Sequence, residues 1–180
     1  PQLPEYGPAI LVSNHTAGLD PLLLQSACDR LIVWMMAAEY HEIAALRPLF
    51  RKLRMIPVQR SGRDMPATRA ALRALEEGRI VGVFPEGRIE TERQLLPFHS
   101  GVALLAFKSG ARVYPAYIDG TQRGREMIPS LLRPCSAVVA FGPEVALDRA
   151  DTGRDGLERA TTAIRSAVQA LKDACDRFTG

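Results

Sequence analysis

The sequence predicts an α/β domain, a mostly parallel sheet flanked by helices. Three observations carry that prediction. Short apolar runs of strand character alternate with longer stretches of helical periodicity. Glycines at 78 and 110 stop two of the helical stretches cleanly. A hydrophobic content of 47% over 180 residues supplies one core, large enough to bury roughly 70% of the surface an unfolded chain exposes. No internal repeat or low-complexity linker divides the chain, so 1–180 reads as a single domain.

The elements follow in order. Strands are expected near 8–13 (PAILVS), 31–37 (LIVWMMA), 55–59 (MIPVQ), 79–84 (RIVGVF), 112–118 (RVYPAYI) and 136–141 (SAVVAF). The first helix runs from Pro21 to about Cys28. A second passes through EYHEIAALRPLFRKL with a disturbance at Pro48. The third, about 64–77, is the clearest: Ala67, Ala71, Leu72 and Leu75 recur at helical spacing, with Arg69, Arg73, Glu76 and Glu77 mostly on the other side. A fourth covers about 100–109 and the last about 155–176. The stretch 119–134 is the longest irregular piece, and loops of that length are more often functional than idle.

Composition narrows the function. Three widely spaced cysteines, Cys28, Cys135 and Cys175, form no CxxC pattern, so they suggest neither a disulfide framework nor a zinc site and fit a reducing compartment. The three histidines lack metal-site spacing on one helix face; His41 and His99 read as structural. No apolar run approaches the ~18 residues that span a bilayer. An aromatic content of 6% and the lack of any nucleic-acid-binding signature argue against a nucleic-acid partner. The net charge is only +3, yet Arg47, Arg51, Lys52, Arg54, Arg60 and Arg63 fall in a segment without one acidic side chain. That segment is either a solvated helix face or a surface that meets phosphate on a substrate or membrane.

Three stretches carry candidate chemistry. In AILVSNHTAGLDPLLL, a strand ends at Asn14-His15 and Asp20 follows just before Pro21. On a continuous helix the five-residue separation would place the two side chains about 140° apart, but a tight turn at 16–18 would fold Asp20 back toward the imidazole. Asp20 could then hold the Nδ1 proton and leave Nε2 free as a general base. Asp before Pro is equally a helix N-cap, and one carboxylate can serve both ends.

In VFPEGRIETERQLLPFHSG, a buried-type strand runs into Pro85-Glu86-Gly87, where ligands bind in open α/β sheets. Glu86 and Arg88 would project at the rim as a carboxylate and a guanidinium suited to a polar or phosphorylated substrate; a plain turn with a surface ion pair is the alternative. Gly87 allows close backbone approach. In RMIPVQRSGR, Arg60 follows a short strand and either clamps a phosphate or lies in solvent.

Taken in order, these segments resemble the glycerolipid acyltransferase family, whose best-known members convert lysophosphatidic acid to phosphatidic acid. NHTAGLD matches its N-H-x4-D motif, MIPVQR looks like its second block, FPEG matches the third, and VYPAYI looks like the fourth. The resemblance covers about 5–145. It implies that His15 deprotonates the acceptor's hydroxyl for attack on an acyl thioester, with Asp20 orienting it. It also implies that Arg60 binds the acceptor phosphate, that Asn14, Glu86, Gly87 and Arg88 belong to the substrate site, and that Pro115 supports the pocket. No cofactor or metal is implied. Acyl-CoA or acyl-carrier protein is the co-substrate, a lysophospholipid the acceptor, and the cytoplasmic face of a membrane the place, with peripheral attachment. Many relatives continue FPEG with Thr-Arg-Ser, whereas Arg88-Ile89-Glu90 follow here, which moves the arginine and adds a carboxylate. The reading from a different class is a noncatalytic module that holds phospholipid headgroups.

Overall fold

Six β-rich runs become six strands of one sheet, in the order β3-β2-β4-β1-β5-β6. In the computed structural model, residues 3–43, 47–59, 64–125 and 134–179 are described. The strands are β1 (Ala9–Ser13), β2 (Ile32–Ala37), β3 (Ile56–Val58), β4 (Ile80–Val83), β5 (Arg112–Asp119) and β6 (Val138–Phe141). The first five are mutually parallel, and β6 runs antiparallel to β5. Every residue of β1 is buried, as a central strand covered on both faces must be.

Alternation along β1 splits the core. Ile10 and Val12 face a layer that contains Ala67, Ala71 and Leu75 of α3 (Met65–Glu76), Val102 and Leu105 of α4 (Gly101–Ser109), and Ile164 and Val168 of the last helix, α5 (Arg154–Thr179). Ala9 and Leu11 face Leu24 of α1 (Asp20–Ser26), Phe50 of α2 (Arg47–Lys52), Trp34 and Tyr114. The buried positions of α5, namely Gly156, Ala160, Ile164, Val168 and Cys175, recur at three- and four-residue multiples and form one stripe.

Two expectations are corrected. The single helix through 39–53 is instead a 3-10 turn, Ala38–Glu42, and the short α2. Pro48, which lacks an N–H, stands in the first turn of α2, where no intrahelical donor is needed, rather than disturbing a longer helix. Asp20 is also not a capping side chain: the cap position is Leu19, no side-chain cap bond forms, and Asp20 is the first helical residue.

Pro115 sits inside β5, an unusual place for a residue without an N–H. Its carbonyl accepts from Gly142 N at 2.9 Å, just past the end of β6. A residue's N–H and C=O point to the same side of a strand, so the missing donor faces that side and the ladder to β1 loses nothing. Gly142 fits there because any Cβ would lie 2.8 Å from the proline ring.

Strands β1 and β4 are neighbours, but the chain leaves β1 toward β2 and leaves β4 toward β5, on the opposite side. Their carboxyl ends therefore flank a topological switch point, where open α/β sheets form crevices.

Candidate active site

The turn after β1 brings His15 and Asp20 together. Nδ1 of His15 lies 3.0 Å from Oδ2 of Asp20. The same oxygen accepts from the backbone N–H groups of Thr16 at 2.6 Å and Ala17 at 2.9 Å, and Thr16 Oγ1 approaches Oδ1 at 3.3 Å. Asp20 is 0% exposed, and this set of donors suits a buried acceptor-only group. With Nδ1 donating to the carboxylate, Nε2 carries the ring's lone pair.

The ring is held face-on as well as edge-on. It stacks on Phe84 at 4.2 Å between centroids, and Phe84 stacks on Trp34 at 4.8 Å. Gly82 makes room for that pile: a Cβ there would meet the Trp34 ring at 2.4 Å. The His15 side chain keeps 18% of its surface in solvent, so an oriented, partly open imidazole stands at the switch point.

Asn14 fastens the turn to β5. It is buried, its Nδ2 donates to Ile118 O and its Oδ1 accepts from Ile118 N, both at 2.9 Å. The turn is anchored further by Glu90 N donating to His15 O at 2.7 Å, by Gly124 N donating to Thr16 O at 2.8 Å, and by Gly18 N donating to Arg125 O at 2.8 Å. The hydroxyls of Thr16 and Thr121 meet at 2.5 Å. These partners come from 90 and 118–125; the sequence motifs reach Glu90 and Ile118 but assign neither to this turn.

The turn after β4 departs from expectation. Arg88 is exposed, but Glu86 does not project at the rim beside it: Glu86 is 4% exposed and neither carboxyl oxygen reaches full hydrogen-bond geometry with a partner among the described residues. Burial, reinforced by the nearby Glu90 charge, pushes its carboxyl up to about 8; the Leu96 amide and Arg165 offset this only in part. At neutral pH it is a neutral acid. Gly87 adopts a positive φ of 69°, with the exposed His99 ring lying against it. Pro115 lies level with Val12, three residues below His15.

Arg60 and Arg63 lie outside the described residues. Arg51 and Arg54 of the basic segment line, with Arg73, Glu77 and Arg79, an open cavity of about 450 Å³. Glu77 approaches Arg54 at 3.6 Å and Arg79 at 2.7 Å, so α3 and the turn after it supply both signs. Among the described residues no group of His, Cys, Asp and Glu is arranged to hold a metal, and no helix is long and apolar enough to cross a membrane.

A family model described as Acyltransferase matches residues 1–119. The chain belongs to the acyltransferase family. Among curated relatives it is 25% identical over 126 residues to a 1-acyl-sn-glycerol-3-phosphate acyltransferase of Bacillus subtilis, which covers 69% of this chain and 62% of that protein. It is 28% identical over 128 residues to the Borreliella burgdorferi enzyme of the same name, covering 66% of this chain and 48% of that one. The chain thus spans about half to somewhat under two thirds of these relatives. The crystal structure of the 1-acyl-sn-glycerophosphate (LPA) acyltransferase PlsC from Thermotoga maritima superposes with a TM-score of 0.71 at 18% identity, covering 96% of this chain and 68% of that one. That likeness establishes the shared fold.

Proposed function

We propose that this acyltransferase-family protein transfers a fatty acyl group from a thioester to the free hydroxyl of lysophosphatidic acid, giving phosphatidic acid. The observation that carries the reading is the His15–Asp20 pair at the β1/β4 switch point, with Nδ1 committed to the carboxylate and the side chain partly open to solvent. The names of the curated relatives support the choice of acceptor.

In this mechanism Nε2 of His15 takes the acceptor's hydroxyl proton as the oxygen attacks the thioester carbonyl. A C–O bond forms, the tetrahedral intermediate collapses, and the C–S bond breaks. The thiolate leaves with the proton that His15 carries. Asp20 fixes the tautomer and stabilises the transient imidazolium, as an orienting carboxylate does in other acyl transfers. No covalent enzyme intermediate is required, because a thiolate is a good leaving group.

Arg60 supplies the phosphate contact in this reading, with Gly87 and Arg88 at the rim and Glu86 beneath it. The donor is acyl-CoA or acyl-carrier protein. Catalysis takes place on the cytoplasmic face of a membrane to which the protein attaches peripherally, because acceptor and product are lipids.

The test is thiol release from palmitoyl-CoA, with and without lysophosphatidic acid, by wild type and by a folded His15→Ala variant, with mass spectrometry of the lipid product. Acceptor-dependent release of phosphatidic acid that falls by about 10²-fold or more in the variant supports the reading. Lipid binding that survives in the variant, with no turnover by wild type on either donor, overturns it in favour of a noncatalytic headgroup-binding module.

A further inference from the structure

The two successive peptide units that flank Thr16 are each gripped by a separate anchor. The His15 carbonyl accepts from Glu90 N at 2.7 Å, and the Thr16 carbonyl accepts from Gly124 N at 2.8 Å. These anchors belong to separate segments, one after β4 and one after β5. What joins them is a side-chain ion pair between Glu90 and Arg123, the residue next to Gly124.

Burial makes this pair different from an ordinary surface contact. The Glu90 side chain is 3% exposed and that of Arg123 is 16% exposed. Arg123 also reaches Asp119 Oδ1 at 2.5 Å, so its guanidinium bridges two carboxylates, and the second Glu90 oxygen accepts from Glu92 N. A planar five-donor head makes that bridge; a lysine, a point charge on a flexible stem, does so poorly. The methyl group of Thr91 lies where a Cβ on Gly124 would come within 3.0 Å, so the two segments also pack closely.

We propose that Arg123 and Glu90 form a clasp that positions the His15–Asp20 turn for catalysis. The contacts close a ring: His15 carbonyl to Glu90 amide, Glu90 carboxylate to Arg123 guanidinium, Gly124 amide to Thr16 carbonyl. Opening the clasp frees the two anchors to move apart, and the imidazole between them loses its fixed aim. Among the described residues the recorded partners of His15's ring are Asp20 and Phe84, so Arg123 and Glu90 are positioning residues. The kinetic part of this inference rests on the acyl-transfer reading; the clasp itself does not.

Replacing Arg123 alone would strand a buried carboxylate and endanger the fold. The decisive variant is therefore the double neutralisation Glu90→Gln with Arg123→Gln, accompanied by Arg123→Lys. Hydrogen exchange reads the clasp without any substrate. In the double variant the backbone amides at positions 90 and 124 are expected to exchange about tenfold faster or more, while those of β1 keep their wild-type protection.

In the acyl-transfer assay, kcat is expected to fall about 10- to 100-fold with the acceptor KM changed by less than about threefold, since misaiming a reacting group costs rate before it costs binding. Arg123→Lys should recover part of the loss. Wild-type protection at positions 90 and 124, or an unchanged kcat despite their faster exchange, overturns the proposal. Uniformly faster exchange across β1 overturns it too, because that is global destabilisation. If wild type shows no turnover, the acyl-transfer reading fails, and the exchange data alone still decide whether the clasp holds the turn.

Discussion

Asp20 and Glu86 are carboxyl groups just beyond the ends of adjacent parallel strands, both sealed from water, at 0% and 4% exposure. Asp20 is met by two backbone amides, a hydroxyl and an imidazole within one turn. Glu86 has no comparable set among the described residues; burial and the field of Glu90 outweigh the Leu96 amide, so it keeps its proton to about pH 8. Burial alone therefore does not decide what a carboxyl group does. The donors that the backbone turns toward it decide.

The sharpest way to break this contrast is to disable the satisfied partner. Asp20→Asn keeps the shape but offers the imidazole an amide, and the side chain can no longer present two acceptor oxygens to its donors. In the assay described above, kcat is expected to fall about 10²- to 10⁴-fold. A wild-type rate would show that His15 needs no orienting carboxylate.

Glu86→Gln tests the other member. Because the folded state holds its proton up to about pH 8 and the unfolded chain releases it near the ordinary 4.5, the native state binds more protons between those values. Stability attributable to Glu86 is therefore full below pH 4.5, declines as pH rises, and is lost by about pH 8. The stability of Glu86→Gln relative to wild type, from urea unfolding at a series of pH values, should rise across that window by roughly 3 to 5 kcal/mol. A pH-independent difference would mean that Glu86 finds a charge-stabilising partner in solution.

Two smaller perturbations refine the comparison. Gly82→Ala drives a methyl into Trp34, beneath the stack that supports His15. It is expected to destabilise by about 1–3 kcal/mol in urea unfolding and to lower turnover further than Asp20's own contacts predict. Thr16→Val removes a hydroxyl that meets both Asp20 and Thr121. About 1 kcal/mol of stability should go with it; a cost near zero would show that Asp20's two backbone donors suffice.

The sheet was legible because β-branched runs bounded by glycine and proline announce strands whatever lies around them. His15 with Asp20 was legible because its partners are five residues apart and the turn between them is local. The same locality misled for Asp20 as a cap: Asp-Pro signals a helix start, but whether the carboxylate turns forward to the helix or back to the preceding turn depends on a histidine outside that signal. Glu86 read as a rim carboxylate because nothing in FPEG reports the depth at which the turn lies. The clasp could not be read at all. Glu90 follows FPEG and Arg123 lies in the 119–134 stretch, but α4 and the whole of β5 separate them, and nothing in either stretch reports the pairing.

Of the sheet's six strands, β1 is made first and needs the most company. It sits between β4 and β5, with Ala9 level with both Ile80 and Arg112, so its ladder stays incomplete until most of the chain exists. Long-range parallel pairing of this kind folds slowly, because loop closure must precede its reward. His15 is thus written early and assembled late: a nascent chain acquires an aimed imidazole only after residues 119–125 have been made and have closed over the turn.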